Sequence, residues 1–140
     1  MHVYRLPKDE ELVKVLQRSR TIAVVGLSDK SDRPSFSVAQ YLQKVGYRII
    51  PVNPKLDALF EEKAYPSVHD IPGQIDVVNV FRRSEFVPEI TAAAIDKGAK
   101  TLWLQEGIIH YQAAQQALAA GLTVVMDRCI LKEHQRLLGE

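Results

Sequence analysis

Six cations have the type and placement to do chemistry: Lys30, Arg33, Lys55, Arg82, Arg83 and Arg128. Each follows shortly after an apolar run, namely Thr21–Val25 for the first pair, Tyr47–Val52 for Lys55, Val77–Phe81 for Arg82 and Arg83, and Thr123–Asp127 for Arg128. The chain has 140 residues, with 18 Lys and Arg against 17 Asp and Glu, a formal net charge of +1. The asymmetry is therefore local, and it gives no general pull toward nucleic acid or an anionic membrane. Carboxyl ends of strands in an open parallel sheet share one edge, where ligands bind at the point of strand-order reversal. Arginine presents a planar fork suited to phosphate, so the chemistry implied is anion binding.

Other reactive types are sparse. Cys129 is the single cysteine, which excludes an intrachain disulfide framework. Its setting after a strand and before a helix can favour thiolate and a mixed disulfide with a thiol cofactor, although packing as a small hydrophobe is the simpler account. Glu106 and His110 stand close enough for acid–base work, yet a turn carboxylate and a helix-start histidine are the commoner explanation. Phe81 and Trp103 could stack on a flat ring, with core packing the simpler account of Trp103. Arg82 and Arg83, on a strand extension, should point to opposite sides and leave Arg83 in solvent. No histidine, cysteine and carboxylate cluster has metal-ligand spacing.

The elements that must position these residues follow from periodicity. Five runs read as strands: Thr21–Val25, Tyr47–Val52, Val77–Phe81, Thr101–Gln105 and Thr123–Met126. Their continuous apolar character fits strands covered on both faces. Helical stripes lie between them: Phe36, Val38, Ala39, Leu42 and Val45 before Gly46; Val87, Ile90, Ala94 and Ile95 before Gly98; Ala113, Ala117, Leu118 and Ala120 before Gly121. An N-terminal helix over about 8–18 carries Leu12, Val13 and Leu16, and Ile130–Leu138 closes the chain. The stretch 55–73 is less regular, because Pro66 and Pro72 interrupt any long helix. The expectation is one α/β domain over residues 1–140, a Rossmann-like three-layer sandwich with a mostly parallel five-stranded sheet. With no signal-like start and no apolar run long enough to span a bilayer, a cytoplasmic protein is expected.

The first strand-to-helix turn separates ligand classes. A dinucleotide fingerprint needs three glycines, and only Gly26 is present. The polar loop Leu27–Ser35 instead offers hydroxyls, two cations and helix-start amides to a phosphate, or else is a solvated loop with Ser35 as helix cap. An NAD site would want an acid after the second strand, whereas that strand ends Pro51-Val52-Asn53-Pro54-Lys55. A cation there suits an extra ribose phosphate, as in NADP or coenzyme A.

Val25-Gly26-Leu27-Ser28 with Arg33-Pro34-Ser35, Gly46-Tyr47-Arg48-Ile49-Ile50-Pro51-Val52-Asn53-Pro54, Asp76 through Arg83, and Trp103-Leu104-Gln105-Glu106-Gly107-Ile108 closely resemble the stand-alone bacterial CoA-binding proteins. That family is similar in turn to the nucleotide-binding domain of the succinyl-CoA synthetase α subunit and of ADP-forming acyl-CoA synthetases. The resemblance spans nearly the whole chain and implies a domain holding coenzyme A across the carboxyl edge of its sheet. It implies Gly26, Leu27 and Ser28 at the diphosphate turn with Arg33 and Ser35 closing on the phosphates. Pro51, Asn53, Pro54 and Lys55 would flank the adenosine side. Val80, Phe81 and Arg82 would form the next wall, and Gln105, Glu106 and Gly107 would lie beside the pantetheine. The ligases' second domain, with its phosphorylated histidine, has no counterpart holding His2, His69, His110 or His134. Non-covalent binding of CoA or an acyl-CoA, without ligase activity and with no catalytic or metal residues, is the expectation. The alternatives are an NADP-dependent oxidoreductase, which would share the cationic strand end, and a CoA-loaded module that regulates or completes a partner enzyme.

Overall fold

The apolar runs form the centre of the computed structural model, which describes residues 2–139. In chain order the elements are α1 (Asp9–Arg18), β1 (Thr21–Val25), α2 (Pro34–Lys44), β2 (Arg48–Val52), β3 (Ala58–Leu59), β4 (Glu62–Lys63), β5 (Val77–Val80), α3 (Val87–Asp96), β6 (Thr101–Leu104), α4 (Tyr111–Ala119), β7 (Thr123–Val125) and α5 (Ile130–Leu138). Five strands pair in the order β2-β1-β5-β6-β7, every pair parallel. The α/β, Rossmann-like three-layer architecture is as expected.

Alternation along the strands sorts side chains to two faces. Ile22, Val24, Ile49, Val77, Trp103 and Val125 pack with Leu12, Leu16, Val38, Leu42 and Ile130 of α1, α2 and α5. Ala23, Val25, Ile50, Val78, Val80, Leu102, Leu104 and Val124 meet Val87, Ile90, Ala94, Ala113 and Ala117 of α3 and α4. Trp103 is fully buried and its indole N–H donates to the Arg128 carbonyl at 2.9 Å, so it is core. Pro51 is tolerated inside β2 because that strand is an edge. The Arg48 N–H and Val52 carbonyl both serve the β1 side, so Pro51, between Ile50 and Val52, turns its missing N–H outward.

The irregular stretch after β2 holds an antiparallel hairpin that the sequence pattern does not announce. Its turn residues Phe60 and Glu61 have φ of 54° and 64°, a conformation for which Asn-Gly is the usual signal. Long-range contacts hold it instead. The Phe60 ring lies 5.0 Å from that of Phe36, Gln43 Nε2 donates to the Phe60 carbonyl at 3.0 Å, and Arg48 grips Glu62 through two bonds of 2.9 and 3.0 Å. Tyr65 then bridges to Val52 and covers the outer edge of β2.

Candidate functional site

Strand order reverses between β1 and β5, because the chain leaves β1 for β2 on one side and returns to β5 on the other. Gly26 sits at that point with φ of 86°. A Cβ there would lie 2.8 Å from the Phe81 carbonyl oxygen and 3.0 Å from Arg82 Cδ. Glycine is required twice over, by conformation and by the close passage of the β5 extension.

A hollow of about 330 Å³ opens here, lined by Gly26, Ser28, Lys30, Arg33, Pro34, Ser35 and Phe81. Its loop is tied by the Ser28 N–H donating to Ser35 Oγ at 3.0 Å and the Lys30 N–H to Ser28 Oγ at 3.1 Å. Ser35 is therefore not the helix cap of the simple-loop reading. Arg33 occupies the cap position, Pro34 opens α2 with its φ already set, and no acid lies in the first turn. The positive end of α2 and two cations thus share one concavity, which suits an anion.

A second hollow, about 320 Å³, lies between the ends of β1 and β2 and the start of α3. Val25, Val52, Val68, Phe86, Ile90 and Ala93 give it apolar walls, with Ser67, His69, Arg82 and Glu89 as polar groups and Pro66 beside them. A third, about 440 Å³, is bounded by Phe81, Arg82, Arg83, Ser84, Glu106, Gly107 and Ile108. Phe81 borders the first and third hollows, and Arg82 the second and third, so the three surround one stretch of backbone. Arg83 is exposed, as expected, but it and Arg82 do not diverge. Their guanidinium carbons stand 4.1 and 5.6 Å from the Phe86 ring, because β5 ends at Val80 and strand alternation stops before them.

The remaining residues singled out from sequence support these walls or lie apart from them. Leu27 is fully buried, and its carbonyl accepts from Asn53 Nδ2 at 2.9 Å while Asn53 Oδ1 accepts the Lys55 N–H at 2.9 Å. Asn53 is thus a brace between the β1 and β2 ends. Val80 is core, Pro51 is buried within β2, and Pro54 and Lys55 are exposed and line none of the three hollows. Arg128 folds back to the Asp127 carbonyl at 2.7 Å. Gln105 is buried and donates to Asn79 Oδ1 at 2.6 Å, leaving the buried Asn79 Nδ2 without a partner. Glu106 holds Lys132 of α5 at 3.0 Å, which raises the Lys132 ammonium above its ordinary range, and the Gly107 N–H donates to Asp127 Oδ1 at 2.7 Å.

The acid–base pairing of Glu106 and His110 is not assembled. His110 caps α4, its Nδ1 accepting the Ala113 N–H at 3.1 Å, while Glu106 faces the other way toward α5. Half-buried Cys129 stands at the cap position of α5 and packs against the α1/α2/α5 core. No group of three His, Cys, Asp or Glu able to hold a metal occurs among the described residues, and no helix there is long and apolar enough to cross a membrane. Sequence reasoning did not single out Pro66 to His69, Phe86 and Glu89, which line the second hollow. They come from the irregular stretch and the turn into α3, and no local pattern marks them.

A family model described as a CoA binding domain matches residues 20–135. An uncharacterized protein, YneT, of Bacillus subtilis is 45% identical over 128 residues, covering 91% of this chain and 95% of that one. The acetate–CoA ligase [ADP-forming] II of Archaeoglobus fulgidus is 36% identical over 83 residues, 58% of this chain but 12% of the ligase. Among solved structures, a hypothetical protein from Pyrococcus horikoshii superposes with a TM-score of 0.92 at 41% identity, over 99% of this chain and 100% of that one.

Proposed function

This chain belongs to the CoA binding domain family, and from that premise we propose that it binds coenzyme A or an acyl-CoA, reversibly and without a covalent bond, along the carboxyl edge of its sheet. One observation carries the reading: three hollows of different chemistry meet around the Phe81–Arg82 backbone. Coenzyme A also has three parts. Its diphosphate fits the hollow of Ser28, Lys30, Arg33 and Ser35, where charge-assisted bonds and the start of α2 favour anions. Its adenosine fits the apolar-walled hollow between β1, β2 and α3. Its pantetheine arm then runs past Arg82 along Glu106 and Gly107. Arg82, bordering two hollows and stacked on Phe86, is placed to meet the ribose phosphate, a role that exposed Lys55 shares only by movement of its side chain.

Calorimetry with a ligand series tests this. CoA is expected to bind more tightly than dephospho-CoA, and both much more tightly than NAD. Equal affinity for CoA and dephospho-CoA would remove the ribose-phosphate contact, and preference for NADP would replace the reading with that of an oxidoreductase.

A further inference from the structure

The connection from β7 to α5, Met126 to Cys129, lies behind the third hollow, and one of its residues is strained. Asp127 has φ of 62°; among the described residues the only other non-glycines with positive φ are Phe60 and Glu61 of the hairpin turn. Such a conformation costs on the order of 1 kcal/mol for a residue with a Cβ, less for Asp than for most, and persists only where surroundings impose it. Here the imposing contacts are visible. The Arg128 N–H donates to the Leu104 carbonyl at 3.3 Å, which pins the next peptide to β6, and one peptide further on the Arg128 carbonyl accepts the Trp103 indole N–H at 2.9 Å. With that peptide fixed, the Asp127 carboxylate meets the Gly107 N–H at 2.7 Å.

Gly107 belongs to the turn that forms one wall of the third hollow. Three contacts outside the turn hold it: Asp127 on Gly107, Lys132 on Glu106 at 3.0 Å, and Ser84 Oγ accepting the Ile109 N–H at 3.1 Å. The Lys132–Glu106 pair has side chains 66% and 56% exposed, a class of ion pair that contributes little. The carboxylate-to-amide bond is the stronger restraint. It is also solvent-exposed, so water could satisfy Gly107 if the fold alone were at stake.

We infer that Asp127 is a positioning residue of the coenzyme cleft, whose carboxylate fixes the Gly107 amide and so sets the wall along which the pantetheine arm lies. The inference rests on the CoA reading above, and the test separates the two. Asp127→Asn, Asp127→Gly and Asp127→Ala are titrated with CoA and with 3′-phospho-ADP, which keeps the ribose phosphate and lacks only the pantetheine arm, and the ligand-free melting temperature of each is recorded. Asn keeps an acceptor oxygen and tolerates the left-handed backbone, so it restores CoA affinity to within about threefold of the parent. Gly and Ala both lose the acceptor and should weaken CoA alike, by about five- to twentyfold, with 3′-phospho-ADP unchanged. Their melting temperatures should nonetheless differ, Ala below Gly, since only Ala retains the strain. Parent-like CoA binding by Asp127→Gly, affinities that follow melting temperature, or equal losses for 3′-phospho-ADP and CoA would each overturn the inference. A parent protein that binds no CoA would overturn the coenzyme reading and this inference with it.

Discussion

Arg33 stands at the hinge between loop and helix, capping α2 by position and lining the hollow with Lys30 and Ser28. Its side chain makes no hydrogen bond or ion pair to the rest of the described protein, so its removal should leave the fold intact. Arg33→Ala is expected to weaken CoA by roughly ten- to hundredfold, the loss typical of one charge-assisted contact, with an unchanged melting temperature in the absence of ligand. Arg33→Lys should recover part of the affinity, because lysine keeps the charge and loses the planar fork. Titration calorimetry reads both; undiminished binding by the Ala variant would put the phosphate elsewhere. At this scale the residue types were legible and their partners were not. Gly26 and Arg33 announce themselves by type and place. The engagement of Ser35 with Ser28, and of Asn53 with Leu27, depends on how two loops fold back, which no spacing encodes.

Helix α5 shows how a distant element is tied to the wall of the third hollow. Its N-terminal turn sends Lys132 to Glu106, and its last turns are clamped to α1 by Arg136, which makes two bonds of 2.9 Å to Asp9 and also holds Glu133. Between these, His134 lies edge-on to Tyr41 and Tyr47, with ring centroids 5.4 and 5.8 Å away, and its Nδ1 shares a 2.7 Å bond with Tyr41 Oη. Tyr47 donates to the Leu16 carbonyl, and burial pushes its phenol up to about 12, so it stays neutral throughout the working range. Burial also holds the His134 imidazolium below its ordinary value. The folded state therefore prefers neutral His134, whereas the unfolded chain takes up a proton near pH 6.5. The stability contributed is full above the unfolded pKa and falls as pH drops through that value toward the lower folded one. Melting temperature is expected to decline as pH falls below about 6.5, and His134→Phe should flatten that part of the profile. An identical slope in the variant would place the titration elsewhere.

At the scale of the molecule, the likeness to the ligases covers a small part of them. The A. fulgidus ligase devotes 12% of its length to the region this chain matches. We propose that the present chain binds the coenzyme and leaves acyl transfer to other proteins. Incubated with CoA, a carboxylic acid, nucleoside triphosphate and magnesium, it should leave all of them unchanged, and product formation above a heat-treated control would refute this. CoA itself should raise the melting temperature progressively with concentration, since a ligand selective for the folded state stabilises it by mass action.

The sequence by itself determined what neighbours along the chain can determine. Apolar runs without polar alternation had to be strands covered on both faces, and stripes spaced three and four apart had to be helices returning across them, which together require an α/β sandwich. It also placed the cations that follow β1, β2, β5 and β7 at one edge, where parallel strands end together, though only Lys30, Arg33, Arg82 and Arg83 line the hollows there. Strand ends drifted by a residue, as at Val80 rather than Phe81, since pairing and not composition stops a ladder. Only the tertiary structure decided which loops meet. The order β2-β1-β5-β6-β7 sets Gly26 against Phe81, brings Pro66 to His69 opposite α3, and lets Asp127 reach Gly107. Those walls come from residues tens of positions apart. Their adjacency follows from sheet order and helix packing, and it leaves no trace in the short-range periodicity from which the elements are read.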